Sequence, residues 1–250
     1  MADDGRGPGQ KGWKSSMLAG IGGIAAGALA VGGWHAWRGS DKAATEAVVH
    51  DYIIDHGEIL PEAMERLRQR QSASAAMQHR TALETPYHGA WAGAANGDVV
   101  LVEFFDYACP YCRASNADVD RLLREDPRLK VVWRELPILG PNSQTAAYVS
   151  LGAARQGRFR QFHDHMFALG RPTETLLAQA TADSGVAREG ETRDGHAELA
   201  RNFELFRALN VTGTPTFVIG GQVLEGAQGY EALRRVITAA RADGGLGTGD

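Results

Sequence analysis

Val99-Val100-Leu101-Val102-Glu103-Phe104-Phe105-Asp106-Tyr107-Ala108-Cys109-Pro110-Tyr111-Cys112 decides how this 250-residue chain is read. An apolar run of this length, bounded by turn formers, reads as a strand buried on both faces. It runs straight into Cys109-Pro110-Tyr111-Cys112, which holds both cysteines of the chain. A CxxC that ends a strand and opens a helix puts its first sulfur at the helix N-terminus. Unsatisfied N–H groups and the positive dipole end stabilise a thiolate there. Such a sulfur is a good leaving group in thiol–disulfide exchange.

Two other uses of a CxxC compete with the redox one. Half of a zinc site needs two or more further ligands, yet no third cysteine exists. His163 and His165 are two residues apart and point to different faces of any helix. An inert staple closing so short a loop constrains the unfolded chain very little. No metal or cofactor is therefore expected, and the net charge of −4 gives no reason to expect nucleic acid.

Working outward toward the N-terminus, residues 1–16 form a polar tail carrying Arg6, Lys11 and Lys14. Residues 17–37 hold no charge and about 20 apolar or small residues, roughly 30 Å of helix and enough to span a hydrocarbon core. Trp13, Trp34 and Trp37 flank that stretch as interfacial aromatics do. An inner-membrane anchor is the leading expectation. A secretory signal cleaved after Ala28-Leu29-Ala30 is the alternative. In both cases Lys11 and Lys14 stay inside and the remainder is exported, to a compartment where disulfides persist.

Residues 43–83 read as a helical arm. Val48, Val49, Tyr52 and Ile53 make one apolar stripe, and Ile59, Leu60, Met64 and Leu67 make another, with a break suggested by Gly57 and Pro61. The stripes lie outside a complete core, so self-association as a homo-oligomer is the leading expectation, and packing of the arm on its own catalytic domain is the alternative. Thr85 to Asp98 reads as a linker into a catalytic domain over 98–243. That domain shows strand, CxxC, helix, strand (Leu129 to Arg134), a helical insertion at about 143–209, two strands (Thr216 to Ile219 and Gln222 to Glu225) and a final helix (Tyr230 to Ala242). The pattern is an α/β, thioredoxin-like fold with an inserted helical domain. Glu103 stands out as a carboxylate in a doubly buried strand, where its pKa rises unless it is paired. Arg134, Glu135 and Pro137, past a strand end, suggest no role.

Val102 to Cys112, together with Gly213-Thr214-Pro215-Thr216-Phe217, resembles the DsbA-type thiol–disulfide oxidoreductases of the bacterial envelope. Val48 to Ala63 resembles the N-terminal segment of ScsC-type proteins. The first resemblance implies that Cys109 is the exposed nucleophile and Cys112 the buried resolving cysteine. It also implies that Glu103 lies beneath Cys112 and exchanges its proton. Pro215 would be a cis-proline, and Thr214 would offer backbone hydrogen bonds to an extended substrate beside Pro110 and Tyr111. The implied partners are exported proteins with thiols or disulfides, and a membrane redox partner on the periplasmic side of the bacterial inner membrane. The second resemblance implies an oligomerising arm, isomerase or reductase activity and a link to copper. The Pro-Tyr dipeptide lacks the histidine of the strongest oxidants, and Thr before Pro215 resembles the isomerase side. The expectation is an oxidoreductase, with oxidation ahead of isomerisation and a copper-binding thiol protein as a further alternative.

Overall fold

The computed structural model describes residues 42–189 and 191–244, so the tail at 1–16 and the anchor or signal at 17–37 lie outside the described residues. Among the described residues no helix is long and apolar enough to cross a membrane. The chain divides into two units, Met1–Ala63 and Met64–Asp250.

In the first unit residues 42–55 are helical (α1) and a turn at 56–58 follows, centred on Gly57. Helix α2 (Ile59–Gln78) then begins, with Pro61 in its first turn, where no intrahelical N–H bond is required. Val48, Val49, Tyr52, Ile54 and Leu60 are all exposed. In the second unit α2 continues and exposes Met64 and Leu67 while burying Ser72 and Ala76. The helix expected to run to Leu83 stops at Gln78. A separate short turn of helix, α3 (Arg80–Glu84), follows His79.

The sheet of the second unit has five strands in the order β1-β3-β2-β4-β5. These are β1 (Trp91–Gly93), β2 (Val99–Phe105), β3 (Leu129–Glu135), β4 (Thr216–Ile219) and β5 (Gln222–Glu225). Strands β2 and β3 are parallel, joined by α4 (Pro110–Glu125), and β4 runs antiparallel to β2. The stretch Thr85 to Asp98 is not a plain linker, because β1 within it pairs antiparallel with the edge of β3. Three residues are too few to show a strand period. Gly93 is the local reason the pairing fits: at φ +90° it approaches Leu129 so closely that an added Cβ would lie 2.2 Å from the carbonyl oxygen.

Successive side chains of a strand point to opposite faces, and this alternation sorts the core. Val99, Leu101 and Phe105 of β2, with Leu129, Val131 and Trp133 of β3, join the larger apolar cluster, which also holds Cys109 and Cys112. Val102 and Phe104, with Val132 and Leu136, join the other cluster with Leu83, Leu205 and Leu209. By the same alternation Glu103 faces the cysteine side and Arg134 faces the opposite one. The helical insertion comprises α5 (Pro141–Arg155), α6 (Phe159–Leu169), α7 (Glu174–Ser184) and α8 (Arg193–Ala208), and α9 (Tyr230–Ala242) closes the domain. Gly157, at φ +68°, adds a break between α5 and α6 that the sequence pattern does not announce.

Arg134, given no role by the sequence, is one of the largest fully buried side chains. Its guanidinium donates to Glu198 Oε1 and Asn202 Oδ1, each at 2.9 Å, both on α8. It also donates to the carbonyls of Leu83 (3.1 Å), Thr85 (2.6 Å) and Ala82. Those carbonyls end α3 and would otherwise lack partners. Desolvation lowers the pKa of Arg134, opposed first by the Glu198 charge, and desolvation raises that of Glu198, opposed by Arg134. Removing one member of such a pair leaves an uncompensated buried charge, which costs about 3–5 kcal/mol. Arg134→Met should therefore lower the unfolding free energy by about that amount in urea denaturation. A loss below about 1 kcal/mol would show that the lock contributes little.

Candidate active site

Cys109 is the N-cap of α4, in extended backbone at φ −81°, and Pro110 occupies the first helical position. Proline is suited to that position because its fixed φ matches the helix and no N–H is needed. Cys112 lies in the first turn and is fully buried. Neither cysteine is bridged in the structure. The peptide bond Thr214–Pro215 is cis, and its loop lies against the first cysteine, with Cys109 Sγ 3.3 Å from the Thr214 carbonyl oxygen. Tyr111 is 65 % exposed beside the pair, and Pro110 is exposed as well.

One expectation is corrected. Cys109 is not an exposed residue: its accessibility is 3 %. The reason is the approach of the Thr214 loop together with the packing of the cysteine into the larger core cluster.

The two sulfurs differ sharply in acidity. Hydrogen bonding from the Cys112 thiol is the largest influence on Cys109 and lowers its pKa to about 5. The Thr214 side chain and the backbone N–H groups of Cys112 and Tyr111 add to this, and together they outweigh desolvation. Cys112 moves the opposite way: burial pushes it far up, reinforced by donation to Cys109 and by the Glu103 charge.

Glu103 is fully buried, and burial raises its carboxyl to about 8, opposed mainly by a hydrogen bond from Trp133. Cys109 is among the charges that act on it, and it acts in turn on Cys112. The structure thus brings Cys109, Cys112, Glu103, Thr214 and Pro215 to one end of the sheet. Pro110 and Tyr111 lie on its rim.

Asp106 is a residue the sequence reading passed over. Its carboxylate accepts from the backbone N–H of Ala108 at 2.7 Å and of Ile138 and Leu139 at 2.9 Å each. Its carbonyl accepts from Cys109 N–H at 2.9 Å. One side chain therefore pins the strand-to-helix turn to the loop after β3. An Asp just past a buried strand carries the mark of an Asx turn, which was the available signal. Two further groups gave no signal. Glu135 is buried with its pKa raised well above normal by desolvation, and His163 is held neutral by burial. Tyr107 Oη lies 2.9 Å from Ser150 Oγ and 3.3 Å from His163 Nδ1, so a polar chain runs through the core below the turn.

Two thiols of opposed acidity at one helix N-terminus can exchange disulfides. The family model described as the DSBA-like thioredoxin domain matches residues 100–238, more than half of the chain, so the chain belongs to that family. The solved structures it is similar to include an ScsC protein and a thioredoxin-like oxidoreductase. Residues 41–74 match the copper resistance protein ScsC N-terminal domain. A linker-deletion mutant of Proteus mirabilis ScsC is similar with a TM-score of 0.72 and 25 % identity, over 81 % of this chain and 95 % of that one. A thioredoxin-like oxidoreductase from Silicibacter pomeroyi shares 34 % identity at a TM-score of 0.59, over 61 % of this chain and 91 % of that one. The Na(+)/H(+) antiporter NhaA 3 of Salinispora tropica is 32 % identical over 62 % of this chain, a match that spans only 25 % of that curated relative. Disulfide bond formation protein D of Bacillus subtilis is 23 % identical over 58 % of this chain and 73 % of that protein.

The acidity difference has a direct readout. Alkylation follows the thiolate, so labelling of Cys109 in the reduced protein should rise with pH through a midpoint near 5. Cys112 should stay unlabelled up to pH 9 while the fold is intact. Mass spectrometry after brief iodoacetamide treatment checks this, and a Cys109 midpoint near the ordinary 8.5 would refute the assignment.

Proposed function

We propose that the Cys109–Cys112 pair exchanges disulfides with exported proteins on the periplasmic side of a bacterial inner membrane, with Cys109 as the attacking and attacked sulfur. The observation that carries this is the opposed displacement of the two thiols at one helix N-terminus. Stabilising the Cys109 thiolate stabilises the reduced protein, which makes the disulfide form an oxidant.

In the oxidising direction a substrate thiolate attacks Cys109 of the disulfide. The Cys109–Cys112 bond breaks, a substrate–Cys109 bond forms, and the Cys112 thiolate takes the proton of the Glu103 carboxyl. A second substrate thiolate then attacks the bonded substrate sulfur and releases Cys109 as its thiolate. The substrate loses two electrons and the protein gains them. A membrane redox partner bearing a disulfide returns the pair to the oxidised state, and residues 17–37 would hold the protein beside it. Substrate backbone would pair with Thr214 along the cis-proline loop, with Pro110 and Tyr111 in contact. Cys109→Ser should abolish exchange, and Cys112→Ser should accumulate substrate-linked protein seen as non-reducing gel adducts. Wild-type exchange by Cys109→Ser would overturn the proposal.

Isomerisation is the second reading. It is favoured by the exposed Val48, Val49 and Tyr52 of α1, in the stretch similar to the ScsC N-terminal domain. Apolar residues at helical spacing with no cover suit a second copy of the same helix. A self-associated arm would hold several reduced Cys109 thiolates near one misbridged substrate. Replacing Val48, Val49 and Tyr52 with Glu should shift sedimentation toward the monomer and depress repair of scrambled disulfides, leaving dithiol oxidation intact. An unchanged sedimentation coefficient would exclude the arm as the contact. Copper binding is supported less well, since the two sulfurs stand without a cluster of three or more candidate ligands among the described residues.

A further inference from the structure

Glu103 and Trp133 occupy the same register on the parallel strands β2 and β3, and so stand side by side on one face of the sheet. Trp133 Nε1 donates to Glu103 Oε2 at 3.0 Å. An indole has that one donor and nothing else to offer. The second oxygen, Oε1, is buried and has no hydrogen-bond partner among the described residues. The two oxygens of the carboxyl are therefore unequal: one is held by the indole, and the other is free to carry the proton.

The indole is itself held in place. The guanidinium of Arg160 lies over its ring, 5.0 Å from the centroid, and Phe159 and His163 pack with centroids at 5.5 and 5.1 Å. Arg160 is fixed by Asp164 at 3.0 Å and by Asp120, from α6 and α4 respectively. The charged and titratable groups around Glu103 are thus Cys109, Cys112 and Asp120 from α4 and Arg160 from α6, with neutral His163 behind the indole. On the other side β4 presents Phe217 at this register.

We infer that Trp133 is a positioning residue for the exchange reaction: by engaging Oε2 it fixes the Glu103 carboxyl and directs its proton traffic through Oε1 to Cys112. This inference rests on the proton role proposed above for Glu103. When Cys112 resolves a mixed disulfide, Oε1 of the Glu103 carboxylate takes the Cys112 proton. The Cys112 sulfur then bonds to Cys109, and the partner sulfur leaves with the electron pair of the broken bond. Without the indole donor the carboxylate loses its one neutral hydrogen bond, so Glu103 ionises at higher pH.

Ellman's reagent separates the steps in stopped flow. The first thionitrobenzoate release reports attack by Cys109, and the second, independent of reagent concentration, reports resolution by Cys112. In the wild type the second phase should accelerate through a midpoint near pH 8. Trp133→Phe keeps an aromatic ring but no N–H. It should move that midpoint up by about one unit, slow the second phase about tenfold at pH 7 and leave the first phase unchanged. Adding Trp133→Phe to Glu103→Gln should cost nothing further. An unmoved midpoint in Trp133→Phe, or losses that multiply in the double variant, would overturn the positioning role. Should Trp133→Phe not fold, the Trp133 indole N–H resonance of the wild-type protein gives the answer. It should titrate near pH 8 and cease to do so in Glu103→Gln, and a flat wild-type resonance overturns the inference. If Glu103→Gln itself leaves the second phase untouched, the proton role of Glu103 fails. If Glu103→Gln slows that phase and Trp133→Phe does not, only the role of Trp133 fails.

Discussion

Strand β2 is covered on both faces, and a polar side chain on such a strand has no water to turn to. It must be neutral, paired, or both. Glu103 meets that constraint by holding its proton to unusually high pH and by accepting one indole hydrogen bond. The same period-two alternation that buries Leu101 and Phe105 delivers this carboxyl to the cysteine face, so chemistry and packing share a single register. Moving the register by one residue would send Glu103 to the opposite cluster, away from the two cysteines.

The turn after β2 extends the same logic. A thiolate near the sheet end gains from N–H groups only if the first turn of α4 is presented at a fixed angle. Asp106 supplies that angle by binding the backbone on both sides of the turn. Cys109 then reaches its low pKa while nearly shielded from solvent, because hydrogen bonding outweighs desolvation. Its partner experiences burial without equivalent donors and is driven the other way. One helix terminus thus produces two thiols of opposite character.

Much of this was legible in the sequence where local pattern is strong. The buried run of β2, the helix opened by Pro110, the β4–β5 hairpin around Gly220-Gly221 and helix α9 each have composition or periodicity to declare them. Glu103 was legible because a carboxylate in an apolar run is anomalous. Strand β1 was not, since three residues among glycines carry no period. Arg134 was not, because three of its five partners are backbone carbonyls far away in sequence, which no spacing rule encodes. The shielding of Cys109 depends on a loop 105 residues further along the chain and is a tertiary fact. Trp133 has no mark in the sequence, because its hydrogen bond to Glu103 depends on the cross-strand register.

The Arg134 fork has a consequence for how this protein tolerates change. Because it reads the carbonyl oxygen at Thr85 rather than the side chain, that exposed position is free to drift while the chain path is kept. Arginine itself has no substitute there: lysine offers three donors from a single point, too few and too localised to span five acceptors. A junction built this way should show variety at Thr85 across natural sequences and near-fixity at Arg134 beneath it.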